Sequence, residues 1–262
     1  MEKKYAGVIF LAIFIILCLM PFDASQSELN IVGSTSIQPL GEQLANEYKK
    51  THLNIDINVQ GGGSSMGIKC VNNSLTDIGM SSKDINCEDF KKYQIGTEAI
   101  VVVVNKNNSL KDLSSTQLRD IFSGKIKDWS ELSNQSGKIN VIVREEGSGT
   151  LDAFKSIIMK NCEIKEDAII QNSPGAIKQA IVQDKNAIGF ISLGHVDNNI
   201  KNVTLNGVEV SANSIKNDSY VLQRPFLFIT NQTPGIETEK FINWTLSDES
   251  SEIFEKEKII KN

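Results

Sequence analysis

The sequence predicts an α/β protein of two lobes, and three observations predict it. Short apolar runs alternate with helix-spaced apolar residues from Leu29 to about Phe90. The alternation resumes after a mostly apolar run at 100–105. In several places a strand-like run ends in a turn rich in glycine and hydroxyl groups, just before a helical pattern begins. Such alternation argues a parallel sheet flanked by helices. A chain of 262 residues suffices for one large or two medium domains.

Lys3 and Lys4 precede an apolar run from Tyr5 to Phe22, followed by polar residues 23–28. Basic start, greasy middle and polar exit are the layout of a signal peptide or N-terminal membrane anchor over residues 1–24. The run is also just long enough to stay in the bilayer uncleaved. Cys18 offers a third route, lipidation. Each route places the rest of the chain outside the cytoplasm.

The first hydroxyl-rich turn, Gly33-Ser34-Thr35-Ser36, ends an apolar run and leads into a helix carrying Leu40, Leu44 and Tyr48 on one face. A second strand at 55–59 ends in Gly61-Gly62-Gly63-Ser64-Ser65, with Ile68 and Val71 following at helical spacing. The third turn is Asp77-Ile78-Gly79-Met80-Ser81-Ser82-Lys83. Residues 100–105 read as a central strand. Ser114 to Gln117 form a capping box for a helix with Leu118, Ile121 and Phe122, closed by Gly124. Trp129 reads as a core anchor.

The fourth turn is the most informative. Residues 139–143 read as a buried strand, and Leu151, Phe154 and Ile158 as the inner face of a helix. Between them lies Arg144-Glu145-Glu146-Gly147-Ser148-Gly149-Thr150. A helix N-terminus aims unpaired N–H groups and a positive dipole end at one point. Arg144 adds a permanent cation whose planar fork matches two anion oxygens. Glu146 is placed to hold that fork. Further on, Ser173 and Pro174 open a helix carrying Ile177 and Ile181. Residues 187–193 form a strand, 205–208 a small hairpin, and 220–230 a returning strand broken by Pro225. Phe241, Trp244, Leu246 and Ile253 mark closing helices.

Four such turns suit a tetrahedral oxyanion. The glycine turn at 61–67 lacks the Gly-Lys-Ser/Thr ending of a nucleotide P-loop, and no G-x-G-x-x-G follows a strand, so a small free anion is favoured over a nucleotide. The formal net charge of −5 is unchanged by loss of residues 1–24, because Glu2 and Asp23 cancel Lys3 and Lys4. Nucleic acid is therefore a poor partner. Two histidines far apart in sequence, and cysteines Cys70, Cys87 and Cys162 without zinc spacing, predict no metal and no cofactor. No histidine or carboxylate cluster accompanies Ser148 in sequence, so the chain is not expected to be an enzyme.

In these motifs, together with Leu118-Arg119-Asp120-Ile121-Phe122-Ser123-Gly124 through Trp129 and Arg224-Pro225-Phe226, the chain resembles the substrate-binding proteins of phosphate ABC transporters (the PstS type). The resemblance covers nearly all of the chain after residue 24. It implies a type II periplasmic-binding-protein fold: two lobes, each a mixed sheet flanked by helices, joined by two crossing strands. Residues 28–99 and 222–262 would form lobe 1, and residues 100–221 lobe 2. Inorganic phosphate would be clamped between Thr35, Ser36, Ser64 and Ser82 on one side and Arg144, Ser148, Gly149 and Thr150 on the other. The implied partner is an ABC permease in the cytoplasmic membrane, served by a monomeric receptor. Sulfate, molybdate or tungstate are alternative ligands, and a surface phosphate sensor is an alternative role. One departure bears on selectivity: in well-known members the position matching Ser82 is an aspartate that accepts a proton from HPO₄²⁻ and so rejects sulfate.

Overall fold

A computed structural model describes residues 26–85 and 88–262. The signal or anchor expected over 1–24, Cys18 included, lies outside the described residues, as does Cys87. Cys70 and Cys162 are free thiols. Among the described residues no helix is long and apolar enough to cross a membrane.

The chain begins with β1 (Ser27–Gly33), α1 (Gln38–Thr51), β2 (Ile55–Gly61), α2 (Ser64–Asn72) and β3 (Ile78–Ser81). β1 lies between β2 and β3 and is parallel to both. Period-two alternation puts Leu29, Ile31, Ile55 and Ile57 on the face covered by Leu40, Leu44 and Tyr48 of α1. Pro39 sits in the first turn of α1, where its missing N–H costs nothing, and Lys49 and Lys50 face the negative end of the dipole.

β4 (Phe90–Asn105) is a sixteen-residue strand that serves both halves of the molecule. Its first part pairs antiparallel with β10 (Gln223–Asn231), and its second with β8 (Ala187–Ser192) and β9 (Ile200–Leu205). The connected strand order is β2-β1-β3-β10-β4-β8-β6-β7, where β6 is Asn140–Arg144 and β7 is Ile169–Gln171; off this path, β5 (Asp112–Leu113) pairs parallel with β9. Val71, Leu227 and Ile229 form a small cluster of their own; of the two large hydrophobic cores, one draws on residues 29–95 and 226–259 and the other on residues 99–222. The two meet where β4 and β10 cross, with Glu98 directly opposite Arg224.

In the second half, α3 (Ser115–Phe122) opens with the reciprocal capping box read from Ser114 and Gln117. Trp129 is fully buried, its indole N–H donating to the Asn186 carbonyl at 3.1 Å, an anchor as expected. Helix α4 (Gly149–Phe154) follows the Arg144 turn. Pro225 does not break the returning strand. β3 pairs with β10 at residues 227–229, so at Pro225 the strand has β4 on one side and no β3 ladder on the other. A proline needs one free side, and it has one there.

Candidate functional site

The four hydroxyl-rich turns converge between the two cores. Ser34, Thr35 and Ser36 follow β1, Ser64 opens α2, and Ser82 follows β3. Arg144 ends β6, and Ser148, Gly149 and Thr150 start α4. Strands of one sheet that end at one edge bring their following loops together, which is why turns far apart in sequence share a cleft.

On the first side the hydroxyls chain together. Ser82 Oγ lies 2.9 Å from Ser34 Oγ and 3.1 Å from Ser64 Oγ, and the Ser82 N–H donates to Ser64 Oγ at 3.0 Å. Across the cleft, Ser36 Oγ lies 3.1 Å from Thr150 Oγ1. Arg144 Nη2 donates to Thr35 Oγ1 at 2.9 Å, and its Nη1 lies 3.5 Å from Thr150 Oγ1. The Ser65 N–H donates to the Gly147 carbonyl at 3.2 Å. At the rim, Lys83 Nζ bridges to Asp152 Oδ2 at 2.9 Å and to Ser65 Oγ at 3.2 Å. These contacts run from one half of the molecule to the other and describe a closed cleft.

Glycine makes that approach possible. Gly63 and Gly147, both with φ of +89°, face one another, and a Cβ on Gly63 would stand 3.2 Å from the Gly147 carbonyl oxygen. A Cβ on Gly149 would lie 2.5 Å from both Ser64 Oγ and Ser82 Oγ. Gly149 and Thr150 open their helix, so their N–H groups have no carbonyl one turn back and are left as free donors. Ser148 Oγ caps α4 by accepting from the Leu151 N–H at 3.4 Å.

One expected role is corrected. Glu145, not Glu146, holds the arginine fork, its two oxygens accepting from Arg144 Nε and Nη2 at 2.8 Å each. Glu146 points outward, with its side chain 81 % exposed, and pairs with Lys155 at 2.7 Å. Glu146 and Gly147 are the central residues of a turn closed by the Ser148 N–H donating to the Glu145 carbonyl at 3.2 Å, with Gly147 at positive φ.

The sequence reading quoted Arg224 as part of a motif without giving it a place in the site. The structure puts it at the floor of the cleft. Its Nη1 donates to Ser82 Oγ at 3.0 Å and to Thr150 Oγ1 at 2.8 Å, and its Nη2 to Ser192 Oγ at 2.9 Å. Glu98 Oε2 accepts from its Nε and Nη2 at 3.1 and 3.0 Å. Burial pushes the Glu98 carboxyl up, opposed by the pull of Arg224. The guanidinium is drawn down by the same burial. Ser34, Glu98 and Ser192 were likewise missed, because strand residues and a third serine in a serine-rich turn carry no distinguishing local pattern.

His195 lies just beyond β8. Burial pushes its pKa down to about 4, helped by Lys178 and then by Arg144 and Arg224. Its buried Nδ1 has no hydrogen-bond partner. Among the described residues no group of three His, Cys, Asp or Glu side chains is placed to hold a metal ion. Chemically, the cleft offers two guanidiniums, a helix N-terminus and a ring of hydroxyls, each guanidinium held by its own carboxylate. That is a binding site for a compact anion rich in oxygen.

Comparison with known proteins identifies the family. A family model described as a PBP superfamily domain matches residues 23–249. A solved phosphate ABC transporter substrate-binding protein from Clostridium perfringens, with bound phosphate, is 35 % identical with a TM-score of 0.87, covering 90 % of this chain and 100 % of that one. An ABC-type phosphate transport receptor from Vibrio cholerae is 28 % identical with a TM-score of 0.76, covering 89 % and 100 %. The phosphate-binding protein PstS of Bacillus subtilis is 28 % identical over 205 residues, 76 % of this chain and 68 % of that protein. By the breadth of the family match and the likeness to the Clostridium protein, the chain belongs to the PBP superfamily, among the substrate-binding proteins of phosphate ABC transporters.

Proposed function

We propose that this protein captures inorganic phosphate outside the cytoplasm and hands it to the permease of an ABC importer, without chemical change to the ligand. The observation that carries the reading is the convergence of Arg144, the start of α4 and the hydroxyls of Thr35, Ser36, Ser64 and Ser82 across one cleft. A binding protein needs donors in numbers and in fixed places, and the cleft supplies them.

Lobe 1 comprises residues 28–99 and 222–262, and lobe 2 residues 100–221; the separate cores on either side of Glu98 and Arg224 support this division. Thr35, Ser36, Ser64 and Ser82 serve from lobe 1, and Arg144, Gly149 and Thr150 from lobe 2. Ser148 acts from its capping position, with its hydroxyl hydrogen free to donate. Because each lobe holds part of the shell, the anion contacts the full set when the lobes are closed, and its binding energy draws the equilibrium toward closure. A binding role also fits Ser148, which caps a helix and has no base beside it. A monomer suffices, since both walls of the cleft come from one chain.

The test is calorimetric titration of residues 26–262, stripped of bound anion, with inorganic phosphate at neutral pH. One-to-one binding that falls by about 100-fold or more in Arg144→Ala is expected, from loss of two or more charge-assisted hydrogen bonds. No binding of phosphate by the unaltered chain would overturn the reading.

A further inference from the structure

Arg224 lies on one of the two strands that cross between the lobes, directly opposite Glu98 on the other. Both side chains are buried, each 2 % exposed. The ordinary reading of such a pair is mutual satisfaction inside a sheet. Glu98, however, occupies Nε and Nη2 of the arginine and leaves Nη1 unused. Nη1 reaches two hydroxyls that belong to different lobes, Ser82 at the end of β3 and Thr150 at the start of α4.

We propose that Arg224 is a positioning residue that couples anion capture to lobe closure, holding Ser82 of one lobe and Thr150 of the other through a single guanidinium nitrogen on the crossing strand. The proposal rests on the oxyanion reading of the cleft. Its physical content is geometric and directional. Geometrically, opening the cleft separates Ser82 from Thr150, so the nitrogen can keep both in the closed arrangement and loses one on opening. Directionally, arginine donates and cannot accept. Ser82 Oγ and Thr150 Oγ1 therefore accept from it, and each must turn its single hydrogen away from Arg224. For Thr150 that direction is toward Ser36, across the cleft; for Ser82 it is toward Ser34 or Ser64. Both hydroxyls are thereby oriented as donors on the side where an anion is held. Glu98 fixes the plane of the guanidinium, and Ser192 fixes its far corner.

Two variants test this. Arg224→Lys keeps the charge but has only three N–H donors for the four partners Glu98, Ser192, Ser82 and Thr150. The double variant R224Q/E98Q exchanges the buried ion pair for a neutral hydrogen-bonding pair, so that no buried charge is stranded and folding is protected. Rapid-mixing kinetics with inorganic phosphate separate encounter from release. Expected are dissociation rates raised about 10- to 100-fold in the double variant, with an intermediate value in Arg224→Lys, and association rates within about threefold of the unaltered protein. A purely structural role would instead lower the fraction of competent protein and leave the release rate of the remainder alone. Equal release rates in all three proteins would overturn the proposal. Absence of phosphate binding in the unaltered protein would overturn the oxyanion reading beneath it.

Discussion

Two arginines serve the same cleft from opposite kinds of place. Arg144 sits where a strand ends, beside a glycine turn, with its carboxylate partner next to it in sequence and 28 % exposed. Arg224 sits within a strand, with a partner 126 residues away and both groups sealed from water. The first can be altered or re-aimed by changing a loop. The second is wired into the sheet that joins the lobes. The contrast teaches that charge at the cleft wall and charge at the cleft floor are held differently, one by a local turn and the other by strand register across the sheet.

That contrast can be broken by experiment, and the largest effect is expected at Glu98. Glu98→Ala strands a buried guanidinium and should lower unfolding free energy by about 3–5 kcal/mol, read by urea denaturation. A cost near zero would mean that water or another group reaches Arg224. Next comes the floor's contact with Ser82. With a serine there, no carboxylate stands ready to accept the proton of HPO₄²⁻. Sulfate should therefore compete with phosphate far more closely than the roughly 10⁴-fold rejection that a dedicated hydrogen-bonding site achieves. Ser82→Asp should widen the gap about 100-fold, read by competition calorimetry. Failure of sulfate to compete in the unaltered chain would show that another acceptor enters the cleft.

His195 responds to both arginines and so sharpens the comparison from a third position. Its folded pKa, about 4, lies below the ordinary histidine value of 6.5. The unfolded chain thus binds the proton first on acidification, and stability contributed by the neutral ring is lost as pH falls from about 6.5 toward 4. That loss is on the order of 2 kcal/mol. His195→Gln should flatten the stability profile over that window, measured by denaturation at stepped pH. The smallest effects separate the neighbouring glutamates. Glu145→Ala should weaken phosphate binding about 5- to 10-fold by freeing the Arg144 fork. Glu146→Ala, which loses an exposed pair with Lys155, should change it less than twofold.

Much of the fold was legible because its signals are local. Period-two runs, the capping box at Ser114 and the Pro174 helix start each state their structure within a few residues. The Arg144 turn was legible for the same reason, since strand, glycine and helix start lie side by side. What failed was whatever depends on direction or distance. Whether Glu145 or Glu146 faces the arginine depends on where the turn closed between Glu145 and Ser148 begins, which composition does not reveal. Arg224 owes its role to strand register across the molecule, and no window of sequence contains both it and Glu98. Pro225 was read as a break because the absence of a β3 partner before Leu227 is a property of the assembled sheet.

The placement of β10 has a consequence for how this molecule is made. The strand lies at the middle of the sheet, between β3 and β4, yet it follows the whole of lobe 2 in chain order. As synthesis proceeds, β1, β2 and β3 emerge early and must wait through well over a hundred residues before their central neighbour arrives. Until then β3 and the first part of β4 present bare edges, which invite pairing with other chains. Lobe 2 can complete its own core in that interval, whereas lobe 1 is finished from its centre and late. A nascent chain of this design needs those edges shielded until β10 is made, and a truncation before residue 222 should aggregate rather than yield a weakened receptor.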